Sequence, residues 1–595
     1  MIKLSIFFCR RSNMEDKHLL LMVFLGILAL YLGNRIINGS GHSYRERIIS
    51  LATPDQDLVS HSKEFNVPEV IKVTEDVYVA IGYALANSIL LEGPTGLVVV
   101  DVTESTEAAS KILAAFRNIS DKPIQAIVYT HNHADHTIGA SSFIEDPKNL
   151  PDIWAHKKML PEMQRSFSTI SGATYTRAMR QFGVLLPEAI NAGIGLRLKY
   201  GASDGSLGVV VPNKVVSKAI TDVTLAGIPV QIIHIPGETD DQIGVWIADR
   251  KIFLCADDIY RAFPNLYAIR GTPSRDLMQW VNSLDIMIEL GPEYLIPSHT
   301  RPLQGKRYIR ETLTAYRDAI QYVHDQTVRY INKGLTKEEI VELVKLPPHL
   351  AAHPYLREFY GTVAWSVKGV FTSYVGWFSG DAVELAPLTP KTKAEKMVRL
   401  IGVNKLMDAA KTAYKEKDYQ WALELSSHVL HTNKDNTEAR DIKIDSLSSL
   451  GAMQTSANGR NYYLTAAFEE ASEINMKNQK NKLRIGAIKS VPVTPIIHAL
   501  SVRFKPEDCS SMSEQLYFEF TDTNTHVVVT IRNSIAIVTD SPSSTYDVKV
   551  SLTETVFKEI ISSRTRALTA YGGGELVVEG GLMKFRNIMG CFDSD

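Results

Sequence analysis

The chain crowds three imidazoles and a carboxylate into His131-Asn132-His133-Ala134-Asp135-His136, directly after Thr130. The apolar run Ala126-Ile127-Val128-Tyr129 that precedes it is short, rich in β-branched residues and bounded by Pro123 and a polar cluster, so it reads as a buried strand. Such a group at the mouth of a strand is costly unless something binds it, and imidazole nitrogen and carboxylate oxygen are the donors that zinc and similar divalent ions accept. The spacing HxHxDH suits two metals: His131 and His133 point the same way for one, and Asp135 and His136 reach a second. A polar loop without an ion is the bland alternative. A single HxH would favour it; the full string does not.

At 595 residues the chain exceeds what one core normally holds, so several domains are expected. An apolar content of 45%, a charged content of 22% and a net charge of −2 describe an ordinary globular protein. No basic face or aromatic-interleaved basic run appears, so no nucleic-acid partner is expected. The four cysteines, Cys9, Cys255, Cys509 and Cys591, are too few and scattered for a disulfide framework or a cysteine-based zinc site. A Cys509–Cys591 bridge within one domain is conceivable, but free buried thiols are the expectation.

Arg10, Arg11 and Lys17 precede residues 19–32, a run of fourteen without a charge. That is shorter than the ~20 residues a spanning helix needs. No clean small-x-small cleavage site follows, so a short signal anchor over residues 1–40, tethering the chain to a membrane through residues 19–33, stands against a cleaved signal peptide. The positive charge before the run would leave the N-terminus cytosolic and send the rest into the secretory pathway, membrane-anchored or secreted. The sequons at Asn38 and Asn118 are compatible with that route.

From residue 73 the pattern becomes short β-rich runs over residues 76–81, 87–92 and 96–101, with Gly93-Pro94-Thr95-Gly96 as a turn. Residues 107–118 read as a helix, and the strand and histidine loop follow. This order, with the string Thr130 to Ala140 and the strand ending at Asp101, resembles the metallo-β-lactamase fold, an αββα sandwich of class α/β. Residues 157–181 read as helical, and the Gly-rich stretch 193–208 as a loop able to cover a cleft. Two further strand-and-loop units return to the metal. Residues 230–235 run into Pro236-Gly237-Glu238, where most proteins of this fold carry a histidine. Residues 251–256 end in Asp257, a carboxylate placed to bridge two cations, with Asp258 a one-residue alternative. Residues 294–297 lead to His299.

Longer strings narrow the likeness. Cys255-Ala256-Asp257-Asp258 through Arg270-Gly271 and Arg275-Asp276, residues 313–327 and Gly376-Trp377-Phe378-Ser379-Gly380 resemble the alkyl sulfatases, a dizinc branch that cleaves detergent-like alkyl sulfate esters. Tyr414-Lys415-Glu416-Lys417-Asp418-Tyr419 and the following residues resemble that family's helical dimerisation domain. The resemblance implies a catalytic domain over residues 65–385, an all-α dimerisation domain over 390–480, and a homodimer. It also implies two zinc ions per chain, one on His131, His133 and Glu238 and the other on Asp135, His136 and His299, with Asp257 bridging. Asp135 or Asp257 would orient a water that the two ions deprotonate, and Arg270 would grip the sulfate. Attack on carbon would then give alcohol and inorganic sulfate from an amphiphilic sulfate ester. Two departures stand out. The family usually has Glu at the Asp257 position. Where it has a sulfate-contacting histidine, this chain reads Tyr360-Gly361-Thr362-Val363-Ala364-Trp365, and Trp365 can neither take a proton nor carry charge.

Residues 391–475 are helix-patterned, with Ala409, Ala413, Ala422 and Leu425 as the apolar stripe. From residue 491 the period changes to two, with strands at 517–521 and 527–531 flanking a hairpin turn, then a strand at 574–580 and a short helix at 582–589. This resembles a sterol-carrier-protein-like α+β domain over residues 490–595, whose apolar groove would suit a substrate tail. Two alternatives remain at this point: a hydrolase of phosphodiesters, thioesters or lactones, which Trp365 favours, and a non-catalytic lipid-binding protein.

Overall fold

The computed structural model describes residues 43–198, 207–477, 492–562 and 566–593. The apolar segment at 19–32 and the Asn38 sequon lie outside them; among the described residues no helix is long and apolar enough to cross a membrane.

The first sheet holds β1 (Glu69–Thr74), β2 (Val77–Ile81), β3 (Ser88–Glu92), β4 (Leu97–Val100), β5 (Ile124–Val128), β6 (Asp152–His156) and β7 (Lys214–Val216), adjacent in that order. It is antiparallel as far as β4 and parallel from β4 to β7. The helix Thr106–Arg117 makes the crossover between β4 and β5. Ser105 caps it by accepting from the Ala108 amide, and Ala109, Ile112 and Phe116 lie at helical spacing on its buried face.

The second sheet holds β8 (Ile220–Leu225), β9 (Ile228–His234), β10 (Ile243–Ile247), β11 (Ile252–Ala256), β12 (Tyr294–Pro297) and β13 (Leu303–Gln304), in order from β13 to β8. Val79, Val98 and Val128 of the first sheet share one core with Val230, Val245 and Leu254 of the second. The outer face of the first sheet packs on the helix carrying Ile112 and Phe116. That of the second packs on the helices Leu277–Leu290 and Lys306–Ile331 through Trp280, Leu284, Leu313 and Tyr316. This is the αββα sandwich. Strands β4, β10 and β11 are buried at every residue, which is why they read as unbroken apolar runs rather than alternating ones.

The expected helix over 157–181 is broken. Met159–Gln164 passes through a π-turn at Arg165–Thr169, and Ile170 leaves helical geometry (φ −119°, ψ 20°) before Ser171–Gln181 begins. Irregular turns of this kind gather at functional sites, and this one lines the large cavity beside the histidine loop.

Successive helices Val403–Lys415, Tyr419–Thr432, Thr437–Ala452 and Ala457–Glu470 each pack on the next. The buried stripe of the first runs through Leu406, Ala410 and Ala413, whereas Ala409 faces solvent. The apolar positions one helical turn apart, 406, 410 and 413, set the face, and Ala409 falls one residue off it.

The C-terminal sheet orders β14 (Glu514–Phe520), β15 (Thr525–Arg532), β16 (Ile535–Thr539), β17 (Val548–Leu552) and β18 (Leu576–Glu579) as β16-β15-β14-β17-β18. The β14–β15 turn is closed by Asn524 in left-handed geometry (φ 52°). Phe518, Phe520, Val527 and Val529 face the helices Val493–His498 and Leu582–Met589 in a shared core. The expectation of free thiols is corrected here: Cys509 and Cys591 form a disulfide across 82 residues of sequence, and among the described residues Cys255 is the free, buried cysteine. An antiparallel bridge between Phe504 and Phe592 brings the two halves together, and no local spacing signals it.

Candidate metal centre and cavity

Four strands end at one edge of the sandwich, and the site is built there. β4 runs into Asp101, β5 into the histidine loop, β11 into Asp257 and β12 into His299. Asp101 (φ 59°), Ala256 (φ 52°) and Thr300 (φ 63°) all turn through the left-handed region at these strand ends. Non-glycine residues seldom adopt it, and such strain gathers at functional sites.

Two groups of possible ligand atoms result, each with its members within 4.8 Å of one another: His131, His133 and Asp257, and Asp135, His136 and His299. Asp257 lies between them. Its Oδ2 is 3.8 Å from His131 Nε2, 3.5 Å from His136 Nε2 and 3.2 Å from His299 Nε2. Asp258 turns away, its Oδ1 accepting from the Gln242 amide and its carbonyl from Trp280 Nε1, so of the two adjacent carboxylates only Asp257 faces the site. Glu238 approaches with Oε1 3.8 Å from His133 Nδ1. Arg275, to which the sequence alone assigns no role, holds that same oxygen at 2.8 Å.

Hydrogen bonds fix which nitrogen each ring presents. His136 Nδ1 lies 2.8 Å from Asp101 Oδ2, His131 Nδ1 3.0 Å from the Thr130 hydroxyl, and His299 Nδ1 3.0 Å from the Leu85 carbonyl. With Nδ1 engaged, Nε2 of each ring is turned into the site, the arrangement that orients metal-binding histidines. Asp101 is the hub. It also accepts from the Thr130 amide and hydroxyl and from Ser298 Oγ, adjacent to His299. Glu104 gives comparable support further from the centre, accepting from the Leu85 amide behind His299; burial and the neighbouring Asp135 push its carboxyl up to about 7.

The electrostatics fit cations. Burial, then the nearby His136, holds His131 well below the usual imidazole range, and burial with His131 and Arg270 does the same for His133, which favours the neutral form of both rings. Burial opposes charge on His136, but Asp257, Asp135 and Asp101 outweigh it and hold that ring above its ordinary value. His136 Nε2, His299 Nε2, Glu238 Oε2 and Asp257 Oδ1 are all buried without a hydrogen-bond partner. Buried polar atoms are nearly always satisfied, so four orphans on these neighbouring side chains fit a metal cofactor.

Arg270 stands beside the centre. Its Nη2 is 3.0 Å from His133 Nε2, its guanidinium lies over the Phe182 ring at 5.7 Å, and its Nη1 is buried without a partner. Asp276 does not pair with it, but caps the helix Leu277–Leu290 by accepting from the Met278 and Gln279 amides. Trp365 is not among the residues lining the cavity. It lies so close to the helix Ala457–Glu470 that a Cβ on Gly459 would meet its ring at 3.3 Å. At the position of the expected histidine the chain thus carries a ring packed toward that helix.

The centre opens into a cavity of about 1220 Å³. Asn132, His133, Asp135, Glu238 and Arg270 line one end, the broken helix from Glu162 to Tyr175 one side, and Ile497, Leu500, Phe518, Phe557 and Phe592 of the C-terminal domain the far end. Leu198 and Leu207 of the Gly-rich loop also reach it, while residues 199–206 of that loop lie outside the described residues. The participation of the last hundred residues in the wall was legible only as a possible groove.

Residues 82–299 match the model of the metallo-beta-lactamase superfamily, 336–473 that of alkyl sulfatase dimerisation and 482–595 that of the alkyl sulfatase C-terminal domain. A linear primary-alkylsulfatase of Pseudomonas sp. (strain ATCC 19151) is 35% identical over 522 residues, 85% of this chain and 98% of that protein. An alkyl/aryl-sulfatase of Saccharomyces cerevisiae is 24% identical over 88% of this chain and 82% of the relative. Among solved structures, a double mutant of the sec-alkyl sulfatase PisA1 superposes with a TM-score of 0.83 at 25% identity, covering 91% of this chain and 86% of that one.

Proposed function

Since this chain belongs to the alkyl sulfatase family of the metallo-β-lactamase superfamily, we propose that it is a metal-dependent sulfuric ester hydrolase that releases inorganic sulfate from amphiphilic alkyl sulfates, detergent-like or lipid. The observation that carries this reading is one cavity with ligand side chains and an arginine at one end and apolar side chains at the other. That is the shape of a charged head on an apolar tail.

We assign two zinc ions, one to His131, His133 and Glu238 and one to Asp135, His136 and His299, with Asp257 between them. Imidazole and carboxylate donors in this number suit zinc. When bound, the ions would acidify water toward neutral pH and offset negative charge on the ester. Arg270 uses the free Nη1 to hold a sulfate oxygen, a charge-assisted contact suited to a planar guanidinium. Asp135, whose side chain is 15% exposed at the cavity, orients the attacking water and takes its proton. Asp257, almost fully enclosed by imidazoles, positions those rings. Attack on the ester carbon forms the new C–O bond as the old one breaks, and sulfate leaves with the electron pair.

The test is hydrolysis of a chain-length panel of alkyl sulfates in ¹⁸O-water by the metal-loaded protein. The reading expects inorganic sulfate without label and labelled alcohol. Label in the sulfate would overturn attack on carbon. No sulfate from any member, alongside turnover of a phosphodiester, thioester or lactone, would overturn the substrate class.

A homodimer is included in the proposal. The dimerisation match supports it, as do Leu400, Val383 and Trp377, exposed at 81%, 79% and 66% in and beside that region. Passage through the secretory pathway, membrane-anchored or secreted, is likewise proposed. The Cys509–Cys591 disulfide supports it, because such bonds persist in oxidising compartments.

A further inference from the structure

We propose that the Cys509–Cys591 disulfide sets the far wall of the substrate cavity and thereby the enzyme's discrimination between long and short alkyl chains. The inference rests on the alkyl sulfatase reading above. Beside Phe518 of the sheet and Phe557 of the helix over it, the wall takes residues from two segments remote in sequence: Ile497, Leu500, Val502 and Arg503 from the entry to the C-terminal domain, and Met589 and Phe592 from its exit. Neither segment belongs to a strand of the five-stranded sheet.

What joins them is a small bracket. The Lys505 amide donates to the Cys591 carbonyl at 2.8 Å, and the Asp593 amide to the Arg503 carbonyl at 2.8 Å. The Phe504 and Phe592 rings meet at 5.7 Å, edge to face, and the disulfide closes the bracket from Cys509. Among the described residues, two backbone hydrogen bonds, one ring pair and the disulfide tie the wall residue Phe592 to the entry segment, while Ile588 and Phe592 also pack in the domain's core. The cysteines themselves do not line the cavity, so removing them takes no group from the substrate. The metal centre, at the other end, is anchored on the two sheets of the sandwich.

A loosened wall withdraws apolar contact only from a chain long enough to reach it. Losing the burial of roughly two methylenes corresponds to about a tenfold weaker interaction. The experiment compares the holoenzyme with its Cys509→Ser, Cys591→Ser double variant and with wild type reduced by a phosphine. The phosphine takes up the oxygen of water as the bridge becomes two thiols, which are counted. KM and kcat are measured on dodecyl sulfate and on a short-chain alkyl sulfate, with metal content and far-UV circular dichroism recorded. The inference expects a KM about tenfold higher for the dodecyl ester, an unchanged KM for the short ester, and unchanged kcat and metal content. A chain-length preference that survives loss of the bridge overturns this inference and leaves the alkyl sulfatase reading standing. A wild-type KM that is flat across chain length overturns the tail-in-cavity reading and the inference with it. Should the double variant unfold, the reduced wild type is scored on the same axis.

Discussion

The two ends of the cavity are built on opposite principles. At the metal end the side chains are few, buried and held by named hydrogen bonds: Asp101 alone takes the Thr130 amide and hydroxyl, His136 and Ser298. At the far end Ile497, Phe518, Phe557 and Phe592 offer area without direction. The first end depends on which atom stands where, since a ring turned over presents the wrong nitrogen. The second depends on volume and enclosure, where hydrophobic residues of similar size exchange at little cost. On the proposed function, one end would govern whether the reaction occurs and the other which esters are drawn to it.

The largest test of that division is His133→Ala. The side chain reaches the cavity and is 15% exposed, so its loss should leave the fold intact. Sulfate release should fall on the order of 10³-fold or more, equally for every chain length. Retained turnover with an unchanged circular dichroism spectrum would remove the assignment of this loop as the centre. Asp101→Asn is a subtler probe of the same end. Oδ2 takes three donors and Oδ1 one, so an amide cannot serve them all. Metal affinity should drop about 10–100-fold by chelator competition, the effect expected of groups that orient ligands. Activity should recover as metal is added. A chain-length-dependent loss in either variant would break the comparison.

The same division explains what the sequence revealed. That the histidine loop, Glu238, Asp257 and His299 converge was legible because each follows a strand that reads as apolar and each is a residue type able to hold a cation. The sandwich was legible for the reason that fully buried strands such as β4 leave unbroken runs. The braces were not: Arg275 on Glu238 and Glu104 behind Leu85 are ordinary charged residues until folding places them. Trp365 misled, since a position matched along the chain is not a position in the cavity. The disulfide was named but ranked below free thiols, because an 82-residue spacing carries no geometric signal. The far wall was legible only as a fold type, because an apolar pattern states that residues are inside and not what space they enclose.

The smallest expected effect tests the far end without touching the disulfide. Phe557 stands edge to face against Phe518 (6.0 Å, 75°) and Phe520 (5.4 Å, 85°), on the helix Glu554–Ile561 that overlies the sheet. Phe557→Leu keeps the position apolar while removing the ring contacts, at about 0.5–1.5 kcal/mol per aromatic pair. KM for a long-chain ester should rise about threefold, the smaller share of that range being felt by the ligand. KM for a short-chain ester, kcat and metal content should stay fixed. If the short ester weakened equally, the apolar end would be acting through the metal centre, and the two ends would be one mechanical unit. If only the long ester weakened, tail recognition would be separable from chemistry, and chain-length preference could be altered from residues that never approach the metal.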